Sequence, residues 1–191
     1  MKELILGGMR SGKSRLAEQH AQESGLTVTY IATATAQDDE MRARIAHHQA
    51  QRSNHWQLVE EPLALAAALQ RHAAHDRCLL VDCLTLWLTN LLCLENEVRL
   101  REEIAALQET LPKLPGHIIL VSNETGMGVV PLGELTRRYC DEAGRLHQAV
   151  GVPPEALAQL RTNGRAYNKT VSEKLFRHYI AEAQGQAGSV Y

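Results

Sequence analysis

Aromatic residues make up only 4% of this 191-residue chain, with one phenylalanine and two tryptophans. The core must therefore be built mainly from Leu, Ala, Val and Ile. An excess of one charge is also lacking: 20 Lys and Arg stand against 22 Asp and Glu, for a formal net charge of −2. That balance gives no electrostatic argument for nucleic acid or an anionic membrane as partner. Cysteines are few (Cys78, Cys83, Cys93 and Cys140), and none forms a Cys-x-x-Cys pair. They are expected to be reduced, mostly buried thiols in a cytoplasmic protein. Long apolar runs are missing as well. MKELILGG is too short for a secretory signal, and LTLWLTNLLCL (84–94) is short and carries Thr and Asn, so it reads as a buried element and not a membrane span. There is no internal repeat and no low-complexity segment.

What remains is an ordinary globular composition, 45% hydrophobic and 22% charged, in a chain long enough for one domain with a sizeable core, or one domain plus an appendage. ELIL (3–6) stops at Gly7-Gly8 and reads as a buried strand. Ser14 to Gln22 suits a helix, TVTYIAT (27–33) a β-branched strand, and 38–49 a helix opened by Asp38-Asp39-Glu40. A helix is expected over 62–74, a strand over CLLVD (78–82), a helix over 97–111, a strand over HIILVSN (117–123), and a helix over 134–150. Strands alternating with helices predict an α/β fold, an open, mostly parallel sheet with helices on both faces. Residues 1–150 form the expected catalytic domain. Residues 151–191 show no apolar strand and read as a helical tail.

GGMRSGKS (7–14) fits G-x-x-x-x-G-K-[S/T], with a strand before it and a helix after it. Glycines let successive N–H groups turn inward around phosphate oxygens, and the helix N-terminus adds positive potential. Lys13 is expected to reach the β- and γ-phosphates, and Ser14 to coordinate Mg²⁺. Asp82, ending its strand, is the candidate acid beside that magnesium. The motif predicts nucleotide binding without fixing the reaction. YNKT (167–170) is followed by Val171, which lacks the acid needed to read a guanine edge.

IAHHQAQRSNHW (45–56) places three histidines within nine positions. On a helix, at roughly 100° per residue, His48 falls with Met41, Arg44 and Ile45, whereas His47 falls with Glu40 and Ala43. His48 is the easier one to pack. The spacing to His55 matches no common zinc pattern. His47 is then either a solvated helix-end histidine or, beside a nucleotide, a nucleophile toward phosphorus.

GGMRSGKSR, YIATATAQDDEMRARIAHHQAQRSNHW, LLVDCLTLWLTNLL, VSNETGMGVVP and CDEAGRLHQ occur in an order that resembles the bifunctional adenosylcobinamide kinase/adenosylcobinamide-phosphate guanylyltransferases of cobalamin biosynthesis. The resemblance covers roughly residues 2–150. It implies a phosphate-loop NTPase-type α/β domain, usually assembled as a homotrimer, with Mg²⁺ and with GTP and ATP as substrates. It also implies phosphorylation of the aminopropanol hydroxyl of adenosylcobinamide, followed by GMP transfer through a histidine–GMP intermediate. His47 would carry the nucleotide. Gly7, Gly8, Met9, Arg10, Ser11, Gly12, Lys13 and Ser14 would hold the phosphates. Thr33, Ala34, Thr35, His48, Gln49, Ala50, Gln51, Glu60 and Asp82 align with nucleotide-contacting positions. Glu124, in the glycine-containing loop after a strand, is a candidate base, magnesium neighbour or loop cap. Departures are Ser53 after Arg52, His147 where an Asn is usual, and the tail. A kinase without guanylyl transfer, or a nucleotide-binding switch acting through partners, are the competing readings.

Overall fold

The computed structural model describes residues 1–35, 39, 42, 55–126 and 128–151. Five strands form one wholly parallel sheet: β1 (Lys2–Gly7), β2 (Thr27–Ala32), β3 (Gln57–Glu60), β4 (Arg77–Asp82) and β5 (His117–Asn123), in the order β1-β5-β4-β2-β3. The helices among the described residues are α1 (Lys13–Glu23), α2 (Leu65–His72), α3 (Leu84–Cys93), α4 (Glu97–Thr110) and α5 (Glu134–Gly151). A 3₁₀ turn, Leu111–Lys113, follows α4. The expected α/β class and strand positions are therefore present. The short strand β3 is additional: its QLVE sequence is mostly exposed and has no buried run to announce it.

Register explains how the sheet presents its ends. Gly7 pairs with Asn123, Asp82 with Val121, and Ala32 with both Asp82 and Glu60. All five strands thus finish along one edge. In open α/β sheets that edge is where ligands bind.

Helices cover both faces. On one, Ala17 and Ala21 of α1 are fully buried, and their small side chains let the helix sit close to Ile5, Val28, Leu80, Ile119 and Val121. The larger cluster lies opposite, where α2, α3, α4 and α5 bring Leu65, Leu69, Leu84, Leu88, Leu107 and Leu146 onto Leu4, Leu79 and Ile118. The 84–94 stretch is helix α3. Its Trp87 is completely buried and its indole N–H donates to the Leu63 carbonyl at 2.7 Å, satisfying the one polar atom that burial would otherwise strand. Of the four cysteines, Cys78 and Cys83 are buried, Cys140 is partly so, and Cys93 is exposed, so the expectation of mostly buried thiols holds for two. Cys93 falls at the end of α3, outside its buried stripe. No helix of the described residues is long and apolar enough to cross a membrane.

The expected helix over 38–49 lies outside the described residues apart from Asp39 and Arg42, which are helical and ion-paired to each other. The expected helical tail, 151–191, lies outside them except for Gly151.

Candidate active site

β1 ends at Gly7, where the chain turns into the loop that opens α1. Gly7 sits so close to Ser11 that a Cβ there would come within 2.5 Å of the Ser11 hydroxyl oxygen. Gly12, the residue before α1, has φ +85°, in the left-handed region that glycine adopts without steric cost. Arg10 also has a positive φ, 58°, a conformation uncommon for a residue with a side chain and concentrated at ligand-clamping turns. Ser11 N–H donates to Gly8 O at 3.3 Å, closing the turn.

The first turn of α1 has neither a side-chain cap nor an acidic residue. Its leading N–H groups are therefore left for an external acceptor, and no acid of its own first turn neutralises the positive end of the helix dipole. Lys13 Nζ donates back to Gly8 O at 3.3 Å, so its ammonium lies over the loop it is expected to serve. Met9, Arg10 and Ser11 are exposed. The loop is an open cradle for an anion.

Asp82 lies two strands away, at the end of β4, with β5 between it and β1. Tyr30 O–H donates to Asp82 Oδ2 at 2.9 Å, fixing the carboxylate and engaging one of its oxygens. Nothing in the sequence pattern identified Tyr30, because it reads only as one more β-former in TVTYIA. Ser14 and Asp82 offer hard oxygen donors of the kind magnesium takes, and the Asp82 carboxylate retains Oδ1 for that purpose. Cys83 beside it is not a nucleophile. Burial, reinforced by the negative charge of Asp82, raises its thiol pKa and keeps it protonated.

Thr33 occupies a tighter place than a nucleotide-contacting position suggests. It is fully buried; its hydroxyl donates to Cys83 O at 2.7 Å and accepts from Cys83 N–H at 2.9 Å. Asn90 of α3 extends this stitch: its amide donates to Thr33 O at 2.8 Å and Pro62 O at 3.2 Å, while its Oδ1 accepts from the Thr35 hydroxyl at 3.2 Å. The side chain of Thr33 thus joins the ends of β2 and β4, and Asn90 locks the strand-end backbone. Ala34 and Thr35 are half-buried and follow directly. Glu60 is exposed at the end of β3. The structure brings Gly7–Ser14, Thr33–Thr35, Glu60 and Asp82 to the same edge of the sheet. His47, His48, Gln49, Ala50 and Gln51 lie outside the described residues.

The turn after β5 completes this edge. Glu124 N–H donates to Gly7 O at 3.1 Å, fastening the turn to the phosphate loop. Glu124 Oε1 accepts from Gly126 N–H at 2.7 Å, so this carboxylate does cap its own loop. No group of three or more metal-ligating side chains occurs among the described residues.

Comparison with known proteins agrees with this geometry. The family model described as cobinamide kinase / cobinamide phosphate guanyltransferase matches residues 3–165. The chain is 68% identical over 150 residues to the bifunctional adenosylcobalamin biosynthesis protein CobP of Pseudomonas aeruginosa, covering 78% of this chain and 87% of that protein. Against the bifunctional adenosylcobalamin biosynthesis proteins CobU of Escherichia coli and Salmonella typhimurium it is 38% and 39% identical over 161 residues. Each match covers 78% of this chain and 88% of the relative.

Proposed function

The chain belongs to the cobinamide kinase / cobinamide phosphate guanyltransferase family, and from that premise we propose that it carries out both reactions. In the first, a nucleoside triphosphate gives its γ-phosphoryl group to the aminopropanol hydroxyl of adenosylcobinamide. In the second, an imidazole nitrogen of His47 attacks the α-phosphorus of GTP. A P–N bond forms, the bond to the β-phosphate breaks, and pyrophosphate leaves. A phosphate oxygen of adenosylcobinamide phosphate then attacks the same phosphorus, the P–N bond breaks, and adenosylcobinamide-GDP is released. Splitting one transfer into two displacements is the general advantage of covalent catalysis.

The observation that carries this reading is the uncapped, acid-free start of α1 directly behind the glycine loop, with Lys13 folded over it. Those groups suit the charge on a triphosphate and, held in advance, stabilise what develops as phosphorus is attacked. Ser14 and Asp82 would hold Mg²⁺, which when bound withdraws charge from the phosphate oxygens. Thr33 and Asn90 keep the neighbouring strand ends rigid, so that Asp82 and the 33–35 turn hold their spacing. We further propose that the enzyme works as a cytoplasmic homotrimer.

The test is covalent labelling. Wild-type protein and His47→Ala are incubated with Mg²⁺ and GTP labelled on the α-phosphate, then denatured. Acid-labile, base-stable label on the wild type alone is expected for a phosphoramidate at His47. A folded, GTP-binding wild type that retains no label would reduce the protein to a kinase.

A further inference from the structure

Three side chains from three different elements form a buried line that ends at the turn carrying Glu124. The backbone N–H of Asn123 donates to Thr85 Oγ1 at 2.8 Å. Thr85 Oγ1 lies 3.4 Å from Ser122 Oγ, and Ser122 Oγ lies 2.7 Å from His147 Nε2. Thr85 is in the first turn of α3, two residues after Cys83. Ser122 is in β5 and 1% exposed; His147 is in α5 and 6% exposed.

At one end the direction of this chain is set by chemistry. A backbone N–H can only donate, so Thr85 must accept from Asn123. The Thr85 hydroxyl has one proton to pass on. Ser122 Oγ is within its reach, and either hydroxyl of that pair can be the donor. Ser122 Oγ and His147 Nε2 share the next hydrogen bond, in which Ser122 donates when Nε2 carries no proton and accepts when it does. A hydroxyl that both accepts and donates strengthens each of its hydrogen bonds. Burial favours the neutral imidazole, with one donor and one acceptor nitrogen, against the opposing pull of the Glu124 carboxylate.

The turn at the far end is fastened on its other side as well, by Glu124 N–H to Gly7 O. We infer that His147, Ser122 and Thr85 are positioning residues: through one hydrogen-bond chain they hold the Asn123–Glu124 turn, beside the phosphate loop, in the geometry needed for phosphoryl transfer. The chain also spans the strand ends that bear Asp82 and Glu124. A fault in it disturbs the alignment of the reacting groups and leaves the anion-binding N–H groups of α1 untouched. The effect on turnover rests on the reading of the protein as a kinase and guanylyltransferase; the hydrogen-bond chain itself does not.

The experiment compares wild type with His147→Leu, which keeps bulk but removes the hydrogen-bonding nitrogen, and with His147→Gln, which restores a polar group at similar reach. Ser122→Ala interrupts the same chain at its middle with a smaller packing change and is expected to behave as H147L. Two readouts are taken on the full chain. Amide exchange of Asn123 is expected to quicken by about tenfold in H147L and S122A, and to recover in H147Q, with the amides of β4 unchanged. In the same variants kcat for phosphoryl transfer is expected to fall about tenfold while nucleotide affinity stays within about twofold, the pattern of a group acting on the transition state alone. Unchanged Asn123 exchange in folded H147L and S122A overturns the hydrogen-bond chain. Faster exchange with unchanged kcat, or loss of nucleotide affinity in parallel with kcat, overturns its positioning role. A wild type with no transfer activity but the expected exchange pattern refutes the functional reading and leaves the chain standing.

Discussion

The two ends of the sheet are built on opposite principles. At the end where the strands begin, polar groups are closed on one another. Glu3 of β1 is buried, and its two carboxylate oxygens meet His20 Nδ1 and His117 Nε2, each at 2.8 Å. Burial alone would raise its pKa. Hydrogen bonds and charge from His117 and His20 outweigh that and hold it below the ordinary carboxylate value. The N-terminal ammonium donates to Gly116 O at 2.7 Å, and Lys2 Nζ donates to Leu114 O. At the end where the strands finish, the first turn of α1 is uncapped, Met9, Val129, Val130 and Leu132 are exposed, and Asn123 Oδ1 is buried with no partner among the described residues. One end spends its polar groups on itself. The other also bonds Thr33, Asn90 and Tyr30 internally, but leaves the start of α1 open, at a cost in stability that the first helps to offset.

Three changes would break or sharpen this contrast. The largest effect is expected from Lys13→Ala at the open end. Loss of a preorganised charge at the phosphates should cut turnover by about 10²–10³-fold, while the melting temperature moves little, since among the described residues Lys13 bonds only to its own loop. Steady-state kinetics beside a thermal melt check this. A comparable fall in melting temperature would mean that the open end is as structural as the closed one.

Glu3→Ala should do the reverse. Removing one partner from a buried cluster costs about 3 kcal/mol, at the low end of the range because the His20 side chain is 24% exposed and partly hydrated. For a chain of this size that is about 10 °C in melting temperature, and nucleotide affinity should be unchanged. Glu3→Gln, which still offers hydrogen bonds, should lose less.

The smallest effect concerns acidity. The folded protein resists protonating His147, whereas the unfolded chain takes the proton at the ordinary imidazole value of 6.5. The contribution is fully present above that value and is lost as pH falls below it toward the lowered folded value. Denaturant titrations at pH 8 and at mildly acidic pH should show wild type losing more stability than His147→Gln. An identical loss would place His147 outside the buried environment described for it.

Much of this molecule could be read from its sequence, for reasons that differ by residue. CLLVD and HIILVSN are continuous apolar runs ending in polar residues, which only a strand covered on both faces explains. The loop at 7–14 was legible because the chemistry of phosphate binding constrains consecutive residues. Glu3 was absorbed into the apolar run ELIL, and its partners lie 17 and 114 positions away, a separation that local pattern does not span. Thr85, Ser122 and His147 failed to register together for the same reason. Tyr30 looked like a β-former and serves Asp82 as well. Thr33, aligned with a nucleotide-contacting position, has its hydroxyl committed to the backbone of Cys83.

The parallel pairing of β1 with β5 has a consequence for how the protein is made. Met1 and Gly116 are bonded across 115 positions of sequence, and no hairpin can shorten that loop. On the ribosome, at about 5–20 residues per second, the strand leading into the phosphate loop waits on the order of ten seconds for its neighbour to be synthesised. Through that interval ELIL is an unpaired apolar edge. It depends on chaperone cover, or on early docking of α1 through Ala17 and Ala21, to escape aggregation.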